Sequence, residues 1–114
     1  MERIVEQTLL YDFYGELLTA HQRQIYEAAV FNDLSLSEIA EEQGISRQGV
    51  HDLIKRCNRI LEGYEEKLGL VSRFTQVKKL AAQLDRLTTQ YAESRDEEVL
   101  GNMTRTVREI VEQL

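Results

Sequence analysis

Between Ser35 and Arg59 the chain reads SLSEIAEEQGISRQGVHDLIKRCNR, two short helical patterns that meet at Gly44. This segment restricts the fold more than any other. Ile39 and Ala40 fall on the first helix, Gly44 and Ile45 in the turn, and Val50, Leu53 and Ile54 on the second. Ala40 is small where the two helices must cross closely. Gly44 takes positive φ without steric cost, as a tight helix-to-helix turn requires. Ile45, Val50 and Leu53 or Ile54 are expected to close a small core between the helices. Ser35 with Glu38 forms a capping box, and Ser46 caps the second helix. The side chains just after Ser46 are thereby left free to enter a major groove. The spacing is that of a helix-turn-helix.

The rest of the chain is also patterned for helix. There is no proline among the 114 residues, and good helix formers are plentiful. The expected architecture is all-α, about six helices, a helix-turn-helix bundle followed by a C-terminal helical hairpin. A first helix is predicted over 5–18 from the stripe Val5, Leu9, Leu10, Phe13, Tyr14 and Leu17, with Gly15 marking close packing. Thr19 with Gln22 makes a second capping box, opening a helix that presents Ile25, Tyr26, Ala29 and Val30 and ends at Asn32 and Asp33. The second motif helix continues through Val50, Ile54, Cys57, Leu61, Tyr64 and Leu68 to Gly69, where a terminating glycine is expected. Beyond it, a stripe of Phe74, Val77, Leu80, Ala81, Leu84, Leu87 and Tyr91 begins near Ser72. Ser94 with Glu97 suggests a third capping box, before Val99, Leu100, Met103, Val107, Ile110, Val111 and Leu114. The expected division is a helix-turn-helix domain over 1–69 and a two-helix appendage over 70–114. Its two stripes either fold back on the first helix to complete a monomer core or pair with a second copy, and their width favours a homodimer.

Charge tempers the functional reading. The net charge is −6, whereas nucleic-acid binders usually carry a basic face. Residues 1–68 hold seven Lys or Arg against thirteen Asp or Glu, and the remainder holds seven of each. On the second motif helix the sign reverses locally: Arg47, Lys55, Arg56 and Arg59 face one acid, Asp52. Arg47, Gln48, His51 and Asp52 project away from the apolar stripe. Arg47 suits guanine and Gln48 suits adenine, while Lys55 and Arg59 lie further along to meet phosphate. The bland alternative is an ordinary solvated helix face.

Other chemistries find little support. One cysteine, two histidines and scattered acids offer no catalytic arrangement, and no glycine-rich phosphate loop is present, so no enzyme and no cofactor are expected. His51 and Cys57 are six positions apart, about 240° around a helix, which argues against a shared metal. Cys57 is expected to be a small buried hydrophobe and His21 a surface residue. Asn102-Met103-Thr104 matches a glycosylation acceptor, but the N-terminus does not resemble a secretory signal. No run of eighteen apolar residues exists, so no membrane span is expected, and the expected location is the cytoplasm.

The residues 17–61, LLTAHQRQIYEAAVFNDLSLSEIAEEQGISRQGVHDLIKRCNRIL, resemble region 4 of bacterial sigma factors, the part that reads the promoter −35 element. The leading YDFYGELLT, the motif itself, and the following IKR and ILEGYEEKL are similar to the small YlxM family of Gram-positive bacteria. That likeness is close over about 10–68 and weak across the tail. Genes of that family tend to lie beside those for the signal recognition particle GTPases, and the resemblance implies a role near that pathway. The chain departs from a working sigma factor, because only one leading helix and a two-helix tail surround the motif. Three readings stay open: a regulator that binds duplex DNA, an adaptor whose acidic half docks on signal recognition particle protein or RNA, and a structural dimer with a vestigial motif.

Overall fold

The computed structural model describes residues 2–114, with side chains from residue 4 onward. Six helices follow one another: α1 Glu2–Tyr14, α2 Ala20–Val30, α3 Leu36–Gln43, α4 Arg47–Leu68, α5 Leu70–Ser94 and α6 Glu97–Gln113. A 3-10 turn, Gly15–Leu17, follows α1, and no strand occurs among the described residues. The chain divides into two compact units, 1–69 and 70–114. No helix among the described residues is long and apolar enough to cross a membrane.

In the first unit α1, α2 and α3 all pack on α4. Ile25, Ile39, Ala40 and Val50 form the core, with Ala28, Ala29, Leu34, Leu36, Leu53 and Ile54 packed around it. Leu10, Tyr14, Leu18, Tyr26, Cys57 and Leu61 are also buried. Burying each Leu, Ile or Val here is worth about 1.5–3 kcal/mol before the entropy of ordering it is counted. The two expected capping boxes are present: Thr19 with Gln22 opens α2, and Ser35 with Glu38 opens α3. Asp33 takes a left-handed φ of 56° after α2.

Two local expectations for this unit are corrected. The first helix does not run to Leu18, because the α-helix ends at Tyr14 and tightens into the 3-10 turn. Packing explains the break: a Cβ on Gly15 would lie 2.9 Å from Cε1 of Tyr11. That tyrosine ring is held in turn by stacking on Tyr26 at 5.5 Å and by contact with Phe31 at 5.2 Å. The stripe rotates accordingly, so that Leu18 is buried while Leu17 is 55% exposed. Ile45 does not close the core either. Its N–H bonds to the Ala40 carbonyl at 3.1 Å, but its side chain is 38% exposed.

Polar groups tie the leading helices to α4 across long stretches of sequence. Tyr14 Oη donates to Glu65 Oε1 at 2.6 Å. Tyr26 Oη donates to Asn58 Oδ1 at 2.7 Å, where Gln7 Nε2 also makes a longer contact of 3.5 Å. Tyr11 donates to Glu27. Burial pushes the Tyr26 and Tyr11 phenols up to about 12. For Tyr11 the hydrogen bond to the Glu27 carboxylate adds to that effect.

The second unit is the hairpin of α5 and α6. Gly69, with φ 61°, is the single residue between α4 and α5, so α5 begins two residues earlier than the expected Ser72. Val77, Leu80, Leu84, Leu87 and Tyr91 of α5 and Val99, Met103, Thr106 and Ile110 of α6 are buried or half-buried. Gln83 Nε2 donates to Thr106 Oγ1 at 3.3 Å, which sets the antiparallel register. The third capping box is corrected. Ser94 is the last residue of α5, Arg95 takes a left-handed φ of 56°, and Asp96 caps α6 by accepting from the Glu98 N–H at 2.9 Å.

Candidate nucleic-acid interface

The helix-turn-helix is built from three local devices. Ser35 Oγ accepts the Glu38 N–H at 3.1 Å, and the Glu38 carboxylate accepts the Ser35 N–H at 3.0 Å. The Ser35 backbone N–H, and after it the Ser35 hydroxyl, stabilise the Glu38 carboxylate and lower its pKa. Gly44 then ends α3 in the left-handed region, φ 68° and ψ 31°, and donates to the Ala40 carbonyl. Ser46 Oγ accepts the Gly49 N–H at 2.9 Å and starts α4. Gly49 had drawn no attention in the sequence, yet a Cβ there would stand 3.1 Å from Ser46 Oγ. A glycine at this position lets the cap close tightly.

The first turn of α4 differs from those of α3 and α6 in carrying no acid. Its unpaired N–H groups and partial positive charge are therefore not neutralised from within the helix. Arg47, Gln48 and His51, with Leu36 from the start of α3, line an open depression of about 450 Å³. Sequence reasoning missed Leu36, because only the fold brings the start of α3 beside the start of α4. All seven candidate residues, Arg47, Gln48, His51, Asp52, Lys55, Arg56 and Arg59, are exposed.

They do not form one cluster. Arg47 and His51 lie one turn apart on one strip of α4. Gln48, Asp52, Lys55 and Arg59 follow a neighbouring strip in steps of four, three and four. Arg56 is turned about 100° from Lys55. Gln48 Nε2 donates to Asp52 Oδ1 at 3.0 Å, and that carboxylate oxygen is 3.8 Å from His51 Nδ1. Asp52 thus orients Gln48 and draws its amide along the helix. Arg59 belongs to a second depression of about 290 Å³, shared with Ile60, Gly63, Tyr64 and Lys67.

The metal reading has no geometry behind it. His51 is exposed, Cys57 is fully buried, and burial raises the Cys57 thiol pKa. Among the described residues no three potential ligands gather.

Comparison with known proteins agrees with this architecture. A family model described as "Putative helix-turn-helix protein, YlxM / p13 like" matches residues 1–101. A UPF0122 protein of Thermoanaerobacter sp. (strain X514) is 47% identical over 106 residues, covering 92% of this chain and 91% of its own. One from Acetivibrio thermocellus is 42% identical over 116 residues, covering 98% and 99%. One from Bacillus cereus (strain AH187) is 40% identical over 114 residues, covering 100% and 98%. A helix-turn-helix built on Gly44, matched nearly end to end by these relatives, places the chain in the UPF0122 family of YlxM/p13-like proteins.

Proposed function

We propose that this chain is a non-enzymatic, homodimeric, cytoplasmic helix-turn-helix regulator that binds duplex DNA through the start of α4. The observation that carries this reading is the capped, acid-free first turn of α4 with Arg47, Gln48 and His51 exposed beside it. Arg47 has the donors for guanine, and Gln48, once released from Asp52, has the donor and acceptor for adenine. Lys55 and Arg59 on the adjoining strip suit phosphate, as does Arg56 where the duplex curves past it. The overall charge of −6 supports weak non-specific binding with few phosphate contacts. Reversing charge at Arg47 and Lys55 together is expected to abolish retention on duplex DNA while leaving thermal unfolding unchanged. Retention equal to that of the unaltered chain refutes the proposal.

One observation favours a second reading. The entire net charge lies in residues 1–68. In this reading the acidic unit docks on a basic component of the signal recognition particle, its GTPases or its RNA–protein assembly. The likeness to the YlxM family supports it through the neighbourhood of that family's genes. Opposite-charge steering makes such an association weaken with salt. Pull-down with the particle's proteins at two salt concentrations decides it, and absence of enrichment at low salt rejects it.

A further inference from the structure

Asp52 is the one acid of α4 between Arg47 and Leu61. It stands on the strip that carries Gln48 before it and Lys55 and Arg59 after it. Its side chain is 64% exposed. Lys55 and Arg56, three and four positions on, are the usual partners of a helical carboxylate, yet among the described residues neither pairs with it. Oδ1 instead accepts from Gln48 Nε2 at 3.0 Å, with His51 Nδ1 3.8 Å away. Among the described residues nothing donates to the second oxygen, Oδ2.

Distance along the helix decides what this carboxylate meets on a duplex. A helix that enters the major groove by its N-terminus makes base contacts only across the width of the groove, about 12 Å. At 1.5 Å per residue from Ser46, Gln48 stands about 3 Å along α4, Asp52 about 9 Å, Lys55 about 13.5 Å and Arg59 about 19.5 Å. Asp52 therefore falls inside the groove, and Lys55 at its edge. A carboxylate there is repelled by the phosphates and by guanine N7 and O6 and thymine O4, all of them acceptors. Adenine sets its N7 acceptor beside its amino donor, whereas cytosine presents the N4 donor with no acceptor of its own on that edge.

We infer that Asp52 is a specificity-determining residue whose carboxylate accepts a hydrogen bond from cytosine N4, next to the base that Gln48 reads. The inference rests on the DNA reading of α4 above and deepens it. The Gln48–Asp52 bond ties the two bases together. When Gln48 turns its amide to adenine, Asp52 loses that donor, and a desolvated carboxylate left without one is costly. The cytosine amino group takes the vacated place. Gln48 and Asp52 are one turn apart, about 6 Å, so the cytosine lies one or two base-pair steps of about 3.4 Å from the adenine.

Selection from a pool of randomised duplexes, followed by titration of the enriched duplex, tests this with the full chain. The unaltered chain is expected to enrich a cytosine within two base pairs of the position that Gln48→Ala releases. Replacing that C·G pair by T·A is expected to weaken the unaltered chain about 5-fold or more. Asp52→Ala is expected to hold both duplexes within about twofold of each other while keeping its preference at every other position. Asp52→Asn, of the same shape, is expected to lose the cytosine preference as well. Gln48→Ala is expected to keep it. A cytosine preference that persists in Asp52→Ala, or a loss spread evenly over all positions, overturns the role of Asp52 and leaves the DNA reading standing. Retention of duplexes without enrichment of any sequence overturns it too. An unaltered chain that retains no duplex at 50 mM salt overturns the DNA reading and this inference with it.

Discussion

Replacing Lys55 with glutamine tests the proposed DNA face through the number of phosphates it meets. Lys55 is exposed and outside the core, so the substitution is expected to move stability by no more than about 0.5 kcal/mol. Lys55, Arg56 and Arg59 are the three cations assigned to phosphate, while Arg47 is assigned to a base. Three cations on phosphate give a salt slope of about −2.7, so affinity falls about 40-fold between 50 and 200 mM salt. Without Lys55 the slope becomes about −1.8, and the fall over the same range shrinks to about 12-fold. Fluorescence anisotropy of a labelled duplex at four salt concentrations measures both slopes. A K55Q slope equal to that of the unaltered chain refutes the placement of Lys55 on phosphate. Absence of binding at 50 mM salt refutes the whole face.

Two further predictions concern the polar ties to α4. Tyr26→Phe leaves the Asn58 carbonyl with only the long Gln7 contact, at an expected cost of about 1–3 kcal/mol in urea unfolding, and adding Asn58→Leu should recover much of it. The raised phenols of Tyr26 and Tyr11 make stability depend on alkaline pH. Unfolded tyrosines ionise near 10 and the folded ones near 12, so their contribution is complete below about pH 10 and lost as pH rises toward 12. Urea midpoints at pH 8, 10 and 11 should fall over the last step, and less steeply in Tyr26→Phe; a flat profile contradicts the assignment.

Sequence reasoning recovered the features that depend on a few consecutive residues. The capping pairs Thr19–Gln22 and Ser35–Glu38, the left-handed Gly44 and the buried Cys57 all follow from local geometry and helical period. It failed where two local solutions compete. Ser94–Glu97 fits a capping box as written, but once Arg95 turns left-handed Asp96 becomes the residue that caps α6. Periodicity also overstated burial: Phe74, Ala81, Leu100 and Val107 repeat at helical spacing, yet each stays exposed. The Tyr14–Glu65 and Tyr26–Asn58 bonds join residues 51 and 32 positions apart, and no local pattern announces them. At the candidate site, the outward direction of Arg47, Gln48 and His51 was legible from turns of α4. The contribution of Leu36 and the Gln48–Asp52 bond were not, since one needs the α3–α4 packing and the other a choice among rotamers.

The Tyr26–Asn58 bond also has a bearing on how this fold drifts. A buried hydroxyl and the half-buried amide that accepts from it cannot be exchanged one at a time without a less stable ancestor in between. Lineages that lose the ring hydroxyl at position 26 should therefore have replaced the amide at position 58 as well, and an alignment should show the two columns changing together.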